Sequence, residues 1–412
     1  MELYDYQQKI IDDTDCTNKV AYYLEMGCGK TLVGSTKACS MGVKTLVVAP
    51  KSTIQQWIEH YKEQHSNWYT YDLSKPKQLK AFISDPKGVG FITYGLVWRR
   101  KELNELKGFT LMLDESHNVC NPTSKQTKGI MKLKYENLIL LSGTPNGGAY
   151  EKLYTQMKML GYKSNKKQFE DRYCNMFEMN NGGIKFKVLS KVNPYKNLDE
   201  LNRILREDLH CVFMKTDDVL TLPEQRFIEC DIAVPKEYKT FLKEDYIDLG
   251  EKEYVADSPT NKLLYSRYLC GLDNPNKVEY LKTLLDGITD KVIIFYNFED
   301  ELQLLRKTIK LKTFVCNGAI KQVIEFRDFV GQSVLLVQYQ AGATGLNLQF
   351  CNKIIYFSLP LSSNLFEQSK ARTWRNGQKH KCTYWLLTSG VECDILKSLN
   401  NKQDYNIKLF KG

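Results

Sequence analysis

Short runs of apolar residues, separated by amphipathic stretches, recur over about the first 145 residues of the chain. Apolar runs of four to eight residues that end in polar or turn residues are typical of strands buried on both faces. Strands that alternate with helices predict a parallel sheet with helices on both of its faces. The predicted strands are 20–24, 45–50, 90–94, 109–114 and 137–142.

This alternation of predicted strands and helices stops near residue 146 and resumes at residue 291. The further predicted strands are 291–296, 313–316, 333–337, 353–357 and 383–387. We therefore predict an α/β fold with two tandem parallel-sheet domains and helical insertions between them. The first predicted lobe, which binds nucleotide, covers 1–150, and a helical extension with the inter-lobe link covers 151–235. The second lobe has a helical start at 236–290 and continues over 291–412.

Composition narrows the class of protein. A chain of 412 residues exceeds what one core usually supports, which favours two domains. The formal charge of +10 suits a polyanionic partner without requiring one. The twelve cysteines lack a C-x-x-C pair, and with only five histidines no zinc site is expected. The polar, acidic start and the lack of an 18-residue apolar run predict a cytoplasmic protein with no membrane span.

Candidate chemistry begins at residues 25–31, which read E-M-G-C-G-K-T between an apolar run and a helical stretch. In that context glycines let backbone amides approach phosphate oxygens, and the helix N-terminus adds partial positive charge. Lys30 is expected to reach the β- and γ-phosphates of ATP, and the Thr31 hydroxyl to hold Mg²⁺. Leu24 stands where the general motif has its first glycine. The predicted phosphate-binding residues are Gly27, Cys28, Gly29, Lys30 and Thr31.

Two polar clusters follow later strands of the same predicted sheet. Asp114 and Glu115 end one strand, where Asp114 can hold Mg²⁺ opposite Thr31 and Glu115 can polarise the attacking water as a general base. The sequence S-G-T-P at 142–145 ends the next strand and is suited to contact the acidic pair. Either cluster alone is also explained by the polar and turn residues that commonly follow a strand. Their order after a phosphate loop favours a hydrolytic site.

These motifs resemble those of helicase superfamily 2 and, more narrowly, of the Swi/Snf-like ATPases. The residues at 25–31 are similar to that group's E-M-G-x-G-K-T, and those at 46–52 to its L-V-V-x-P-x-S, with a later Trp57. The D-E-S-H at 114–117 matches a D-E-x-H box with serine third. The resemblance implies two RecA-like P-loop lobes. It also places Gln7, within Y-D-Y-Q, on the adenine base.

The second half of the chain carries matching motifs. The residues at 340–348 are similar to K-A-G-G-x-G-x-N-L, which implies that Gly345 lies near the nucleotide. The residues at 368–378 match Q-x-x-x-R-x-x-R-x-G-Q at every fixed position. Arg372 and Arg375 are thus expected to share one helical face and to stabilise charge on the transferred phosphoryl group. The residues at 215–223 resemble the group's K-x-D-V-L-x-x-L-P link, and Trp374 stands where the group usually has histidine.

The resemblance also implies contacts with nucleic acid. No base-reading module is apparent, so we expect contacts to the phosphate backbone from residues at the ends of predicted strands. The predicted contact residues are Lys51, Ser52, Thr93, Tyr94, Ala343 and Thr344.

The sequence predicts an ATP- and Mg²⁺-dependent DNA translocase that acts as a monomer on duplex DNA in preference to a single strand. A compact bacterial or viral (phage-type) member, active in replication, recombination or repair, fits the lack of chromatin-reading additions. The predicted compartment is the bacterial cytoplasm or an infected host cell. Three alternatives stay open: a strand-separating 3′–5′ helicase, an ATP-gated nucleic-acid-binding module and an RNA remodeller.

Overall fold

Contacts between residues divide the chain into two units, Met1–Leu220 and Thr221–Gly412. The computed structural model of the protein describes residues 2–147, 149–181, 184–342, 346–407 and 409–410. Each unit has its own sheet and its own hydrophobic clusters. Over those described ranges, every helix is too short or too polar to cross a membrane.

The sheet of the first unit has seven strands, all parallel, in the order β3-β4-β2-β5-β6-β1-β9. The strands of this unit are β1 (Lys19–Leu24), β2 (Thr45–Ala49), β3 (Thr70–Asp72), β4 (Val89–Thr93), β5 (Thr110–Asp114), β6 (Asn137–Leu141), β7 (Met176–Asn181), β8 (Ile184–Leu189) and β9 (Cys211–Met214). The carboxyl ends of β1, β5 and β6 meet at one edge, because parallel strands run in the same direction. Ligands collect at that edge of an open parallel sheet.

Helices cover both faces of this sheet. Successive residues of β1 pack on opposite sides, since Ala21 and Tyr23 belong to one buried cluster and Val20 and Tyr22 to another. The helices are α1 (Asp5–Asp13), α2 (Lys30–Ser40), α3 (Ile54–Gln64), α4 (Pro76–Ser84), α5 (Tyr94–Val97), α6 (Lys125–Met131), α7 (Tyr154–Leu160), α8 (Lys166–Tyr173), α9 (Leu198–Arg203) and α10 (Thr216–Val219), with 3₁₀ turns at Lys101–Glu105, Ser116–Val119 and Tyr150–Leu153 and a π turn at Ile204–Asp208.

Two features of the first unit were not predicted from the sequence. Strands β7 and β8 form an antiparallel hairpin between α8 and α9. Strand β9 returns to the main sheet and pairs with β1 in parallel. The hairpin breaks the run of helices expected in this part of the chain.

The second unit has a six-stranded parallel sheet in the order β10-β17-β16-β13-β15-β14. Its strands are β10 (Gln225–Asp231), β11 (Tyr246–Asp248), β12 (Glu253–Val255), β13 (Val292–Tyr296), β14 (Lys312–Cys316), β15 (Ser333–Gln338), β16 (Lys353–Tyr356) and β17 (Cys382–Thr388), of which β11 and β12 form a separate antiparallel pair. Its helices are α11 (Lys236–Glu244), α12 (Pro259–Cys270), α13 (Pro275–Asp286), α14 (Glu299–Thr308), α15 (Val323–Asp328), α16 (Tyr339–Gly342), α17 (Ser363–Thr373) and α18 (Val391–Asn400). The predicted fold class, two parallel-sheet α/β domains in tandem, is confirmed.

Candidate active site

The phosphate loop joins the end of β1 to the start of α2. Gly27 and Gly29 have φ angles of 95° and 77°, in the left-handed region that glycine adopts most readily. A Cβ atom at position 29 would lie 2.2 Å from the side-chain nitrogen of Gln7, so this position has no room for a side chain. Lys30, the first residue of α2, donates from Nζ to the carbonyl of Leu24 at 3.1 Å. The loop is therefore a tight turn with its lysine folded back toward the strand end.

Gln7 lies against this loop, as its predicted place beside the nucleotide requires. Its Nε2 donates to the carbonyl of Cys28 at 3.2 Å, and its Oε1 accepts from the backbone amide of Tyr4 at 3.0 Å. The Tyr6 hydroxyl donates to the same Cys28 carbonyl at 3.3 Å. Gln7 is buried, so it supports the loop from the protein side. The role of Gln7 on the adenine base stays a prediction.

Asp114 ends β5 as a buried carboxylate. Its Oδ2 accepts from Trp57 Nε1 at 2.9 Å and from the Thr53 hydroxyl at 3.3 Å. Burial, followed by the neighbouring charge of Glu115, raises the pKa of Asp114 to about 6, although the Trp57 bond and the charge of Lys30 act in the opposite direction. In the sequence, Trp57 is visible only as part of a motif. The structure makes it a direct partner of the predicted metal ligand.

Glu115 has a left-handed backbone, with φ 52° and ψ 56°, which is unusual for a residue with a side chain. Its carbonyl accepts from Asn118 Nδ2 at 2.8 Å and from the Asn118 amide at 3.0 Å. His117 Nδ1 lies 3.3 Å from Glu115 Oε2 and 3.2 Å from the Ser142 hydroxyl. His117 therefore connects the acidic pair to the S-G-T-P turn. A direct bond from the hydroxyl groups of the turn to the acidic side chains stays a prediction.

The S-G-T-P turn also faces the phosphate loop. A Cβ atom at Gly143 would lie 3.2 Å from Lys30 Nζ, and the Thr144 amide donates to the Ser142 hydroxyl at 3.2 Å. Three motifs that are far apart in sequence thus converge at one edge of the sheet. Carboxylate and hydroxyl oxygens are the ligands that Mg²⁺ prefers, and a buried carboxylate with a raised pKa gains from a divalent cation. The residues at this edge fit Mg²⁺ and a nucleotide.

In the second unit, Arg372 lies in the last turn of α17, whereas Arg375 lies beyond its end. The expectation that both arginines share one helical face was wrong, because Trp374 leaves the helical conformation with ψ 86°. The two motifs of this unit are nevertheless adjacent. Arg375 Nη1 donates to Asn347 Oδ1 at 2.7 Å, and the Leu348 amide donates to the Arg372 carbonyl at 3.0 Å. The predicted Gly345 lies outside the described residues.

Trp374 has a structural partner in the segment that resembles the link between lobes. Its Nε1 donates to the carbonyl of Pro223 at 2.7 Å. An indole has one hydrogen-bond donor, which this contact uses. Trp374 therefore anchors the start of the second unit to the end of α17.

The predicted nucleic-acid contacts have different surroundings. Lys51 is exposed and Ser52 is half-buried in the turn between β2 and α3. Thr93 ends β4 and is half-buried, whereas the side chain of Tyr94 is buried and its hydroxyl donates to the Asp114 carbonyl at 2.7 Å. Any phosphate contact at Tyr94 therefore has to come from its backbone. Ala343 and Thr344 lie outside the described residues.

Sequence reasoning missed a contact between the phosphate loop and the end of the first unit. The amide of Thr216, at the start of α10, donates to Glu25 Oε2 at 3.0 Å, and its hydroxyl donates to the Met26 carbonyl at 3.0 Å. These residues are about 190 positions apart, and nothing in either motif indicates the pairing. Glu25, the glutamate of E-M-G-C-G-K-T, therefore has a structural role, since it holds the start of α10 against the phosphate loop.

A phosphate loop that faces an acidic pair, with Asp114 buried and Glu115 half-buried, at the carboxyl edge of a parallel sheet defines a P-loop nucleotide hydrolase. The SNF2-related domain matches residues 10–267 of the chain, and the helicase conserved C-terminal domain matches residues 276–377. The chain therefore belongs to the SNF2-related family, and its class of enzyme is that of an ATP hydrolase. The predicted family and enzyme class are confirmed.

The relatives are distant in sequence. An uncharacterized ATP-dependent helicase of Bacillus subtilis, YqhH, is 22% identical over 96% of this chain and 76% of its own length. An uncharacterized ATP-dependent helicase of Mycoplasma genitalium is 22% identical over 92% of this chain and 39% of its own length. A DNA repair and recombination protein, RAD54-like, of Drosophila willistoni is 24% identical over 92% of this chain and 58% of its own length. The chain thus spans less than two thirds of the latter two proteins.

Among solved structures, the SWI2/SNF2 ATPase core of Sulfolobus solfataricus in complex with dsDNA is similar to this chain. The alignment covers all of this chain and 92% of that chain, with 18% identity and a TM-score of 0.48.

Proposed function

We propose that the protein hydrolyses ATP in response to DNA and uses the cycle of hydrolysis to move along the duplex. The observation that carries the proposal is a pair of hydrogen bonds to Asp114. Each comes from a different strand end that we predict to contact the DNA backbone, and both end on the residue predicted to hold Mg²⁺.

The first of these strand ends is that of β2, which a turn joins to α3. Lys51 and Ser52 offer a charged and a hydroxyl group, and the next residue, Thr53, donates to Asp114 Oδ2 at 3.3 Å. A shift of this turn on a phosphate changes the position of the Thr53 hydroxyl, and with it the orientation of the carboxylate.

The second strand end is that of β4, where α5 begins at the next residue. Tyr94 comes directly after the predicted contact residue Thr93, and its hydroxyl donates to the Asp114 carbonyl at 2.7 Å. A movement at the end of β4 therefore reaches the backbone of the acidic pair through one side chain. Because both strand ends lead to the same residue, binding of DNA there is coupled to the geometry of hydrolysis.

In this proposal the chain's residues have the following roles. The phosphate loop and Lys30 hold the phosphates of ATP, Gln7 contacts the base, and Thr31 and Asp114 hold Mg²⁺. Glu115 takes a proton from the attacking water. Bound Mg²⁺ neutralises charge on the phosphate oxygens and on the buried carboxylate.

Arg372 and Arg375 of the second unit stabilise charge on the γ-phosphoryl group in the transition state. Hydrolysis and the release of product then change the grip of the protein on the DNA, which gives steps along it.

Support for DNA, as opposed to RNA, comes from relatives whose names describe repair and recombination of DNA. The same names support a role in repair or recombination. The relatives from Mycoplasma genitalium and Bacillus subtilis support the cytoplasm of a bacterium, or of an infected host cell, as the place of action. The formal charge of +10 agrees with a polyanionic partner.

Strand separation is a second candidate, which the hairpin of β7 and β8 favours. The side chains of Phe177 and Met179 on β7 are 61% and 52% exposed. They are two residues apart on the strand and therefore lie on the same face of the hairpin. Exposed aromatic side chains stack on unpaired bases. A hairpin of this kind suits contact with a separated strand, which tracking along a duplex does not need.

The deciding experiment measures ATPase rate alone and with single-stranded DNA, duplex DNA or RNA, beside a strand-displacement assay. The proposal expects strong stimulation by duplex DNA without displacement. Stimulation by single strands with displacement would favour the helicase, and a rate that no nucleic acid changes would refute both. The Glu115→Gln variant, measured in parallel, sets the background from any contaminating ATPase.

A further inference from the structure

Gln156 on α7 is a fully buried amide whose hydrogen bonds reach three separate elements. Its Oε1 accepts from the Ser116 hydroxyl at 2.7 Å and from the Tyr23 hydroxyl at 3.1 Å. Its Nε2 donates to the carbonyl of Pro145 at 2.8 Å. None of the sequence motifs includes this residue.

Two of these partners belong to the loops that form the hydrolytic site. Ser116 follows the acidic pair Asp114 and Glu115, and Pro145 ends the S-G-T-P turn. His117 and Ser142 already connect the two loops at 3.2 Å. Gln156 adds a second connection through different atoms, so the spacing of the loops is fixed at two points.

We propose that Gln156 is a positioning residue for hydrolysis, which holds the Glu115 loop and the Ser142–Pro145 turn in register. The inference rests on the proposed function, in which Glu115 is the general base. Gln156 itself touches neither of the acidic side chains in the contacts described above, and it acts through Ser116 and Pro145.

The chemistry of the side chain supports this role. A carboxamide has an acceptor at one atom and a donor at another, so one residue can bond to a hydroxyl group and to a carbonyl group at the same time. Glutamate lacks the donor and an aliphatic residue lacks both. A buried amide is costly unless both of its ends are bonded, which favours this arrangement over a looser one.

The position of Glu115 makes such support useful. Its left-handed backbone, with φ 52°, costs free energy and persists only where neighbouring contacts fix it. Ser116, the next residue, is fully buried and held by Gln156 at 2.7 Å. Release of Ser116 lets the preceding peptide relax, which moves the Glu115 carboxylate away from the path of the attacking water.

The test compares Gln156→Met with the wild-type enzyme. Methionine has a similar length and no branch, so the variant removes the hydrogen bonds with little change in volume. We expect kcat per folded molecule to fall about tenfold or more, because small misplacements of reacting groups have effects of this size. The KM for ATP should stay within about twofold, since the phosphate loop is untouched. Urea unfolding determines the folded fraction.

Two further variants separate positioning from stability. Tyr23→Phe removes the one bond of Gln156 that leads to neither loop, so kcat should match the wild type. The double variant Ser116→Ala with Gln156→Met also removes the hydroxyl that Gln156→Met alone leaves without its acceptor, so part of the lost stability should return. The Tyr23 hydroxyl and the Pro145 carbonyl still lack their partner in this variant. Its kcat should stay low because the connection to Pro145 is still missing.

The inference is overturned if Gln156→Met has wild-type kcat per folded molecule, or if the double variant recovers kcat together with stability. Failure of the proposed function gives a different result. In that case Glu115→Gln also retains turnover, whereas failure of this inference alone leaves Glu115→Gln inactive.

Discussion

Both units bury charged side chains, but the partners of those charges differ. In the second unit, Lys277 Nζ and Glu392 Oε2 lie 2.5 Å apart, and their side chains are 0% and 1% exposed. The pair joins α13 to α18 within the unit, which is a structural task.

In the first unit, Asp114 accepts from the neutral side chains of Trp57 and Thr53. Arg375 in the second unit likewise donates to the neutral side chain of Asn347, and its partial burial lowers the pKa of the guanidinium group. Neutral partners orient a charge without cancelling it. A buried charge held in this way keeps its attraction for a ligand of opposite sign, which distinguishes a site for Mg²⁺ or phosphate from an ion pair that only stabilises the fold.

The largest expected effect follows loss of Arg375. Arg375→Ala should lower kcat on the order of 10³- to 10⁵-fold while the affinity for ATP changes little, because the charge acts on the transition state. Steady-state ATPase with saturating duplex DNA measures it. Arg327→Ala, which removes an exposed arginine paired with Asp328 in the same unit, is the control. Equal rates for the two variants would show that Arg375 has no catalytic role.

Glu115→Gln should lower kcat on the order of 10²- to 10⁴-fold, because the amide cannot accept the proton of the attacking water. Binding of ATP, measured by equilibrium titration with a fluorescent analogue, should persist. Glu151→Gln is the matched control, since Glu151 accepts from the Tyr195 hydroxyl at 2.7 Å and lies outside the acidic pair. Turnover by Glu115→Gln at the wild-type rate would refute the assignment of the general base.

Lys277→Met tests the structural half of the comparison. The variant leaves Glu392 buried without its cation, which should lower the free energy of unfolding by about 3–5 kcal/mol, as measured by urea denaturation. Turnover per folded molecule should be unchanged. The double variant Lys277→Met with Glu392→Leu should recover much of the stability, because no unpaired charge remains. Reduced turnover with unchanged stability would contradict the distinction drawn between the two kinds of site.

Trp57→Phe removes the indole donor to Asp114 and keeps an aromatic ring in the core. We expect kcat to fall about tenfold, because the carboxylate loses one of the bonds that orient it. Tyr61→Phe is the control on the same helix, since the Tyr61 hydroxyl is buried with no hydrogen-bond partner among the described residues. Similar ATPase rates for both variants would mean that the Trp57 bond does not matter for hydrolysis.

The smallest effect concerns pH. Ser35 on α2 lies 2.8 Å from His60 Nε2 and 2.9 Å from His65 Nε2. Burial and the neighbouring His65 lower the pKa of His60 to about 4, and burial also lowers the pKa of His65. The folded state therefore favours neutral imidazoles, whereas the unfolded chain binds protons at about pH 6.5. The free energy of unfolding is thus highest above about pH 6.5 with respect to these histidines, and it decreases as the pH falls toward 4.

Urea midpoints between pH 7.5 and 5 should thus fall more steeply for the wild-type protein than for the variant with His60→Asn and His65→Gln. Parallel curves would show that these histidines do not contribute. The comparison with the variant removes the effect of carboxylates that titrate in the same range.

The sequence alone determined the fold class, the family and the place of the motifs at 25–31, 114–117 and 142–145, each of which follows a strand. Apolar runs buried on both faces are visible in one dimension, which is why β2, β5, β6 and β13 coincide with predicted strands. Strand β9 was missed because it is an apolar run of only four residues, which is too short to be told from part of a helix. Strand β10 was missed because it lies at a sheet edge with mixed exposure and has no apolar run. The hairpin of β7 and β8 was missed for the same reason.

Only the tertiary structure decided how the motifs are held. The bonds of Trp57 to Asp114, of Gln156 to Ser116 and Pro145, and of Thr216 to Glu25 join residues that no local pattern relates. A hydrogen bond depends on distances of about 3 Å between particular atoms, and those distances follow from the packing of whole elements. The residue types that carry the chemistry were therefore predictable from the sequence, whereas the side chains that position them were not.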